Sequence, residues 1–536
     1  MSLNLNQELQ NKYPHLEISV LDYSDAMKDN DSKRIDSEFF KREYLENENK
    51  IKKLQFIQLK DTDITIKHPA EIERNYVDNG IWFFRTQNLR PLKIEEYTNK
   101  VFISNNDAEK LQKNIIKKDD ILITRTGANY GDCAVYNLSN LAIASSHVLI
   151  VKNTFFNQSF LAVFLNTKFG KLQINKGVYG GLQPEIAPYY LKNIYVPLFP
   201  LSFQQEIENL VKTSHEHLEH SKDLYKQAQD LLYTELGLNP QNPLDFLTCH
   251  KKHCDNTARH CEEQSASQSL SRHCEERSDK AIQRNSDKFA TSKTDAVLDC
   301  HDFATQNLAM TDKYAHLNIS VRTLKQSFLT TGRLDSEYYQ NKYDEIERVI
   351  KNYRGGYGKI SDYFKQNKKS ESFTLSEYKY IEIGDINTGT ATANYNIVQT
   401  NDLPANAKIL LNNGDLLISK VRPNRGAVAI INFDETDLIG SGAFCVLQEI
   451  GEIKKEVLMI LLRTPLYKEW LLKFNVGTSY PVIKDEDILN LIIPKITKQT
   501  QTQIADLIKQ SFALRKSASE LLQTAKQKVE TAIEKN

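Results

Sequence analysis

The chain has 536 residues, 40% apolar and 26% charged, enough for several domains each with its own core. Its 69 basic and 69 acidic residues cancel, which weighs against a protein that coats nucleic acid by bulk attraction but leaves room for local basic patches. No apolar run reaches membrane-spanning length, MSLNLNQELQ is no export signal, and five of the seven cysteines crowd into one polar segment, so a cytoplasmic chain without a disulfide framework or membrane contact is expected.

Read in order, the chain is one unit written twice. KYPHLEISV at 12–20 returns as KYAHLNISV at 313–321, with seven of nine residues identical. RIDSEFFKREY at 34–44 is answered by RLDSEYYQNKY at 333–343, and aromatic and charged residues at i, i+4 spacing predict helix in both. Strand-like GIWFF and YKYIEI then close on the polar turns of FRTQNL and EIGDI. DILITRTGANYGDCAV from Asp120 faces DLLISKVRPNRGAVAI from Asp415. Each predicts a four-residue apolar strand, a basic and polar loop, and a second strand after Gly131 or Gly426. LNTKFG at Leu165 and LRTPLY at Leu462 read as helical. VYGGLQPEI at 178–186 matches NVGTSYPVI at 475–483 with Gly180/Gly477, Pro184/Pro481 and Ile186/Ile483 at a shared offset of 297, which predicts a fixed turn. LKNIYVP and ILNLIIP end each unit on a strand. Lysines 152, 168, 171, 176 and 192 stand against the single acid Glu185 in 151–200, a weak sign of a basic face.

A long helix follows each unit. In 201–236, Ile207, Val211, Ser214, Leu218, Ser221, Tyr225, Ala228 and Leu232 alternate in steps of four and three, one seam along a helix. Adding 297 gives Ile504, Ile508, Ser511, Arg515, Ala518, Leu522, Ala525 and Val529. The small members would let two backbones approach closely, so the helices are expected to pair.

Residues 239–311 have no counterpart after the second helix. RHCEEQS and RHCEERS repeat thirteen residues apart in a segment poor in aromatic and branched apolar residues, which cannot build a core. Cys249, His253, Cys254, His260, Cys261, His273 and Cys274 could suggest zinc, but adjacent His-Cys pairs fit no common zinc spacing. RHCEERSDKAIQ resembles the peptide translated from dispersed repetitive DNA elements. A disordered inserted linker is expected rather than a metal site.

Catalytic signatures are missing: there is no G-x-x-x-x-G-K-S/T phosphate loop, no HExxH and no G-x-G-x-x-G. The Asn/Asp-Pro-Pro-aromatic motif of amino-methyltransferases is also absent. Asp415 with Lys420 lacks the second carboxylate a metal-dependent nuclease would need, so Asp120 and Asp415 read as turn residues at strand starts. What the chain does carry is a pair of polar loops: Arg125, Thr126, Asn129 and Tyr130 in the first copy, and Lys420, Arg422, Asn424 and Arg425 in the second. Arg and Lys donate to guanine O6 and N7, Asn pairs with the adenine edge, and both anchor phosphate. Tyr179, Gln183, Ser479 and Tyr480 on the later loops are further candidates.

Together RIDSEFF/RLDSEYY, DILITRTGANYG, DLLISKVRPNRG and LKNIYVPLFPLSFQQEIENLV make nearly the whole chain outside 239–311 resemble the specificity subunit of type I restriction-modification systems. The second copy departs at its helix start, with PKITKQTQTQI in place of PLFPLSFQQEI. The resemblance implies a tandem α+β fold: mixed α/β target-recognition domains at 1–200 and 312–498, and spacer helices at 201–238 and 499–536 paired as an antiparallel coiled coil. It implies no catalysis, cofactor or metal, and as partners double-stranded DNA, two methyltransferase subunits docked on the helices, and a restriction/translocase subunit. A helix of about 35 residues is roughly 50 Å long, or about 15 base pairs at about 3.4 Å each, the interval between two half-sites. The alternative is a duplicated protein-interaction scaffold without DNA binding.

Overall fold

The computed structural model describes residues 2–28, 30, 32–73, 75–96, 100–181, 183–247, 319–369, 373–477 and 479–535. The insertion from 248 onward, with its candidate zinc ligands, and the start of the second KYAHLNISV lie outside the described residues. The chain divides into two units, Met1–Asp223 with Gln510–Asn536, and Leu224–Lys509. The division falls inside both long helices, so each unit includes part of each.

In the first unit, alternation along Ile121–Thr124 builds two cores at once. Ile121 and Ile123, with Leu149 and Val151 of the neighbouring strand Val148–Lys152, face Phe160, Val163 and Phe164 of the helix Gln158–Asn166. Leu122 and Ile150 point the other way, onto Trp82, Phe84, Ala142 and Ala144. A strand covered on both faces needs no polar alternation, which is why ILIT and VLIV are continuous apolar runs. The antiparallel sheet is ordered Cys133–Val135, Ile121–Thr124, Val148–Lys152, Thr65–Lys67. The second sheet runs Tyr76–Val77, Val101–Ile103, Ile81–Phe84, Ala142–Ala144, Ile115–Ile116, with Ala142–Ala144 parallel to Ile81–Phe84.

The second unit repeats this order, except that its second sheet has four strands where the first unit has five, the edge strand Tyr76–Val77 being the extra one. One sheet is Phe364–Gln366, Phe444–Glu449, Leu416–Ser419, Val428–Ile430; the other is Asn396–Gln399, Glu377–Ile381, Leu438–Ser441, Ala407–Leu410, again with one parallel pair. In both copies two helices meet at a threonine. Thr167 Oγ1 accepts from Gly170 N at 3.2 Å and Thr464 Oγ1 from Tyr467 N at 3.3 Å, each capping the helix that follows. The helix expected over 34–44 starts only at Arg42, and its counterpart at Asn341. The preceding residues form turns because Arg34 and Arg333 close on Asp36 and Asp335 two residues away.

The long helices are Leu201–Glu235 and Lys498–Glu534. The first ends where Gly237 turns left-handed at φ 68° and Leu238 N reaches back to Tyr233 O at 2.8 Å. They pair antiparallel along the expected seam. In the first unit Ser214 Oγ donates to Ala518 O at 2.8 Å and Ser511 Oγ to Ser221 O at 2.7 Å, contacts available only to short side chains between close backbones. Ile207, Val211, Ala525, Val529 and Ile533 continue into the core around Phe160 and Phe164. In the second unit Glu235 accepts from Thr500 Oγ1 at 3.1 Å and from Tyr353 Oη at 2.5 Å, and Arg463 Nε donates to Tyr225 Oη at 2.6 Å.

The departure at the second helix start conceals a kept contact. Gln204 Oε1 accepts from Asn157 N at 3.0 Å while its amide donates to Phe199 O at 3.0 Å; Gln501, 297 residues on, accepts from Lys454 N at 2.9 Å and donates to Ile496 O at 2.8 Å. One buried amide ties each long helix to the start of a neighbouring helix. Among the described residues no helix is long and apolar enough to cross a membrane.

Candidate nucleic-acid interface

The strands Ile121–Thr124 and Leu416–Ser419 carry the loops 125–131 and 420–426, and main-chain bonds stitch each to the loop 178–186 or 475–483 of the same unit. Ile186 N donates to Arg125 O and Gly127 N to Pro184 O, at 3.0 and 3.1 Å. In the second unit Ile483 N donates to Lys420 O at 3.0 Å and Arg422 N to Pro481 O at 2.7 Å. Isolated bridges pair Thr126 with Glu185 and Val421 with Val482. The glycines at the shared offset have a steric cause: a Cβ on Gly180 would stand 2.7 Å from Gln183 O, and one on Gly477 2.0 Å from Tyr480 O.

The candidate residues separate into two sets. Arg125 forms an ion pair with Glu185, and Lys420 with Asp485 at 3.0 Å; their side chains are 16% and 20% exposed. Thr126 is buried, its Oγ1 2.6 Å from His147 Nδ1, and the half-buried Tyr130 packs on the first unit's core. Asn129, Tyr179 and Gln183 are exposed in the first unit, and Arg422, Asn424, Arg425, Ser479 and Tyr480 in the second. The Arg422 guanidinium lies 5.3 Å from the centre of the Tyr480 ring. Arg422 also takes a left-handed φ of 50°, where the equivalent loop has Gly127 at φ 96°. A non-glycine residue held there costs about 1–3 kcal/mol.

The basic face expected over 151–200 is largely neutralised by acids from elsewhere in the fold. Lys152 pairs with Asp120 at 2.5 Å, Lys171 with Asp132 at 2.7 Å, Lys176 with Glu48 at 2.6 Å and Lys168 with Glu534; Lys192 is exposed. Asp120 also accepts from Lys117 N at 2.7 Å, and Asp415 from Asn412 N at 3.0 Å and from Asn367 and Gln448, so both close the turns before their strands. Among the described residues no cluster of three His, Cys, Asp or Glu side chains could hold a metal.

Sequence reasoning missed the support behind the first loop. His147 meets Thr126, and His68 Nε2 lies 3.2 Å from Ser146 O, its pKa lowered by burial and then by the Arg125 charge. Ser146 Oγ in turn donates to Glu71. Nothing in the spacing of these residues connects them; the strand order does.

The model of one protein family, described as the type I restriction modification DNA specificity domain, matches residues 25–227 and 335–531. The chain belongs to that family. Its two matches fall one on each copy of the duplicated unit, and members of the family supply specificity and are not catalysts. The type I restriction enzyme HindI specificity subunit of Haemophilus influenzae is 30% identical over 147 residues, 26% of this chain and 31% of that relative, so the match spans under a third of the relative's length. Among solved structures, the type I restriction-modification system S subunit from M. genitalium aligns with a TM-score of 0.37 and 10% identity, over 90% of this chain and 95% of that one. The HsdS subunit from Thermoanaerobacter tengcongensis aligns with a TM-score of 0.22 and 11% identity, over 89% and 96%. The family assignment rests on the sequence match.

Proposed function

We propose that this chain is the sequence-reading subunit of a type I restriction-modification complex, each duplicated unit reading one half of a bipartite site on double-stranded DNA. The observation that carries the reading is the contrast between the paired loops. Their scaffold is the same in both units, down to equivalent main-chain bonds, while the exposed donors at their tips differ. Changing donors on a fixed frame changes the preferred base and leaves the fold alone. Asn129, Tyr179 and Gln183 in one unit, with Arg422, Asn424, Arg425, Ser479 and Tyr480 in the other, are the direct contacts. Arg125 and Lys420, engaged by Glu185 and Asp485, together with Thr126 and Tyr130, set the loops from behind and present charge to the phosphates.

In this reading the target-recognition domains are 1–200 and 312–498. The paired helices set the interval between the half-sites, and their outward faces dock two methyltransferase subunits, which also bring the restriction/translocase subunit. Working on cellular DNA places the complex in the cytoplasm. Profiling adenine methylation in cells with and without the gene, methyltransferase partners present, tests this. Loss of one bipartite motif is expected on deletion; an unchanged methylome overturns the reading.

A further inference from the structure

The motif R-I/L-D-S-E-F/Y-F/Y recurs in both copies yet contributes no residue to the loop tips. In the first unit the Arg34 guanidinium makes two parallel bonds to Asp36, Nε to Oδ2 at 2.8 Å and Nη2 to Oδ1 at 2.7 Å. Its remaining nitrogen, Nη1, donates to the Val178 carbonyl at 3.0 Å. In the second unit Arg333 makes bonds of 2.8 and 2.7 Å to Asp335, and its Nη2 donates to the Asn475 carbonyl at 3.0 Å. Val178 and Asn475 are equivalent positions, each opening the later loop of its unit. Five residues past the arginine an aromatic ring lies under the guanidinium, Phe39 at 5.0 Å and Tyr338 at 4.6 Å, and its backbone N–H donates to the same aspartate at 3.1 and 3.3 Å. The whole constellation is therefore built twice, within separate units.

Its target is a carbonyl, a group every residue has. The anchors the two loops share are main-chain bonds, a glycine demanded by close approach and a buried isoleucine, Ile186 or Ile483. Each loop adds one side-chain contact of its own, the Glu185 ion pair with Arg125 in the first and Asn475 Oδ1 accepting from Gly477 N and Val482 N in the second. The loops themselves, VYGGLQPEI and NVGTSYPVI, share few side chains. We propose that Arg34 and Arg333 are positioning residues for recognition: each locks the later loop of its own unit through the backbone, so the loop's side chains can change without loss of its placement. The guanidinium fork is required because one group must serve two carboxylate oxygens and a carbonyl in fixed directions, which an ammonium cannot. The consequence for specificity rests on the reading of these loops as DNA contacts.

The test uses the full chain with its methyltransferase partners and two separate variants, Arg34→Lys and Arg333→Lys. Peptide-resolved hydrogen exchange reads the clamp without DNA. Arg34→Lys is expected to speed exchange about 10-fold in 178–186 and leave 475–483 and the strand Ile121–Thr124 unchanged, and Arg333→Lys to do the converse. In cells, each variant should relax base preference at one half-site and keep the other. Unchanged exchange in the variant's own loop overturns the clamp, as does equal loosening of both loops. Faster exchange with both half-sites read as before overturns the positioning role. A wild-type complex with no bipartite methylation motif sinks the DNA reading, while the exchange result still decides the clamp.

Discussion

Arg125 and Lys420 occupy the same step in their units, directly after a buried strand, and residue type alone marks both as readers of DNA. Their surroundings assign them differently, because a cation paired with Glu185 or Asp485 and four-fifths buried shows little of its side chain to a base edge. Arg422 and Asn424 are two of the exposed donors on that side, beside Arg425, Ser479 and Tyr480. Replacing both, Arg422→Ala with Asn424→Ala, should relax one half-site by roughly 30-fold or more, from about 1–3 kcal/mol for each of two well-placed contacts. Methylation profiling in cells checks it, and equal loss at both half-sites would contradict the modular reading. Titration follows from the clamps. The hydrogen bonds from Arg34 and Arg333 hold Asp36 and Asp335 below the ordinary 3.8. A depressed carboxylate contributes stability that is fully present above its unfolded value and is lost as pH falls through the folded one. Exchange in 178–186 and 475–483, corrected for intrinsic rate, should therefore be flat from neutrality down toward the ordinary 3.8 and rise as pH falls below it. With both carboxylates roughly half exposed, the effect on overall stability is small.

At the scale of elements, the four-three alternation placed Ser214, Ser221, Ala228, Ser511, Ala518 and Ala525 in the seam, and all are buried. The pattern was legible because a helix of thirty-odd residues repeats its apolar stripe many times over. What it did not give is that the serines also bond across to backbone carbonyls. Ser221→Leu should force the backbones apart and cost about 1–3 kcal/mol, seen as a lower thermal midpoint. Ser221→Ala, which keeps the Ser221 carbonyl that Ser511 bonds, should cost about 1 kcal/mol or less. A leucine tolerated without loss would mean the seam is looser than its contacts imply. The turns over 34–41 went unread for the opposite reason: i, i+4 spacing scores a helix, whereas a two-residue Arg–Asp closure competes with it locally.

For the whole molecule, the duplication organises both structure and expected function. Two units repeat one strand order apart from a single edge strand, one threonine junction between helices, one glutamine tie and one arginine clamp. The insertion has no counterpart in the second copy. Deleting 248–311 and joining the ends with a short Gly-Ser linker should leave the methylation motif unchanged in cells. A changed motif, or none, would show that the segment takes part in recognition.

By itself the sequence determined the repeat, the buried strands, the two long helices and their seam, and the family, because these are carried by local periodicity and by a pattern written twice. Only the tertiary structure decided which charges remain for a partner. Lys168 meets Glu534 across 366 residues, Arg125 meets Glu185 on another loop, and Arg34 reaches Val178. Such pairings depend on which strands and loops become neighbours, and no local spacing encodes them.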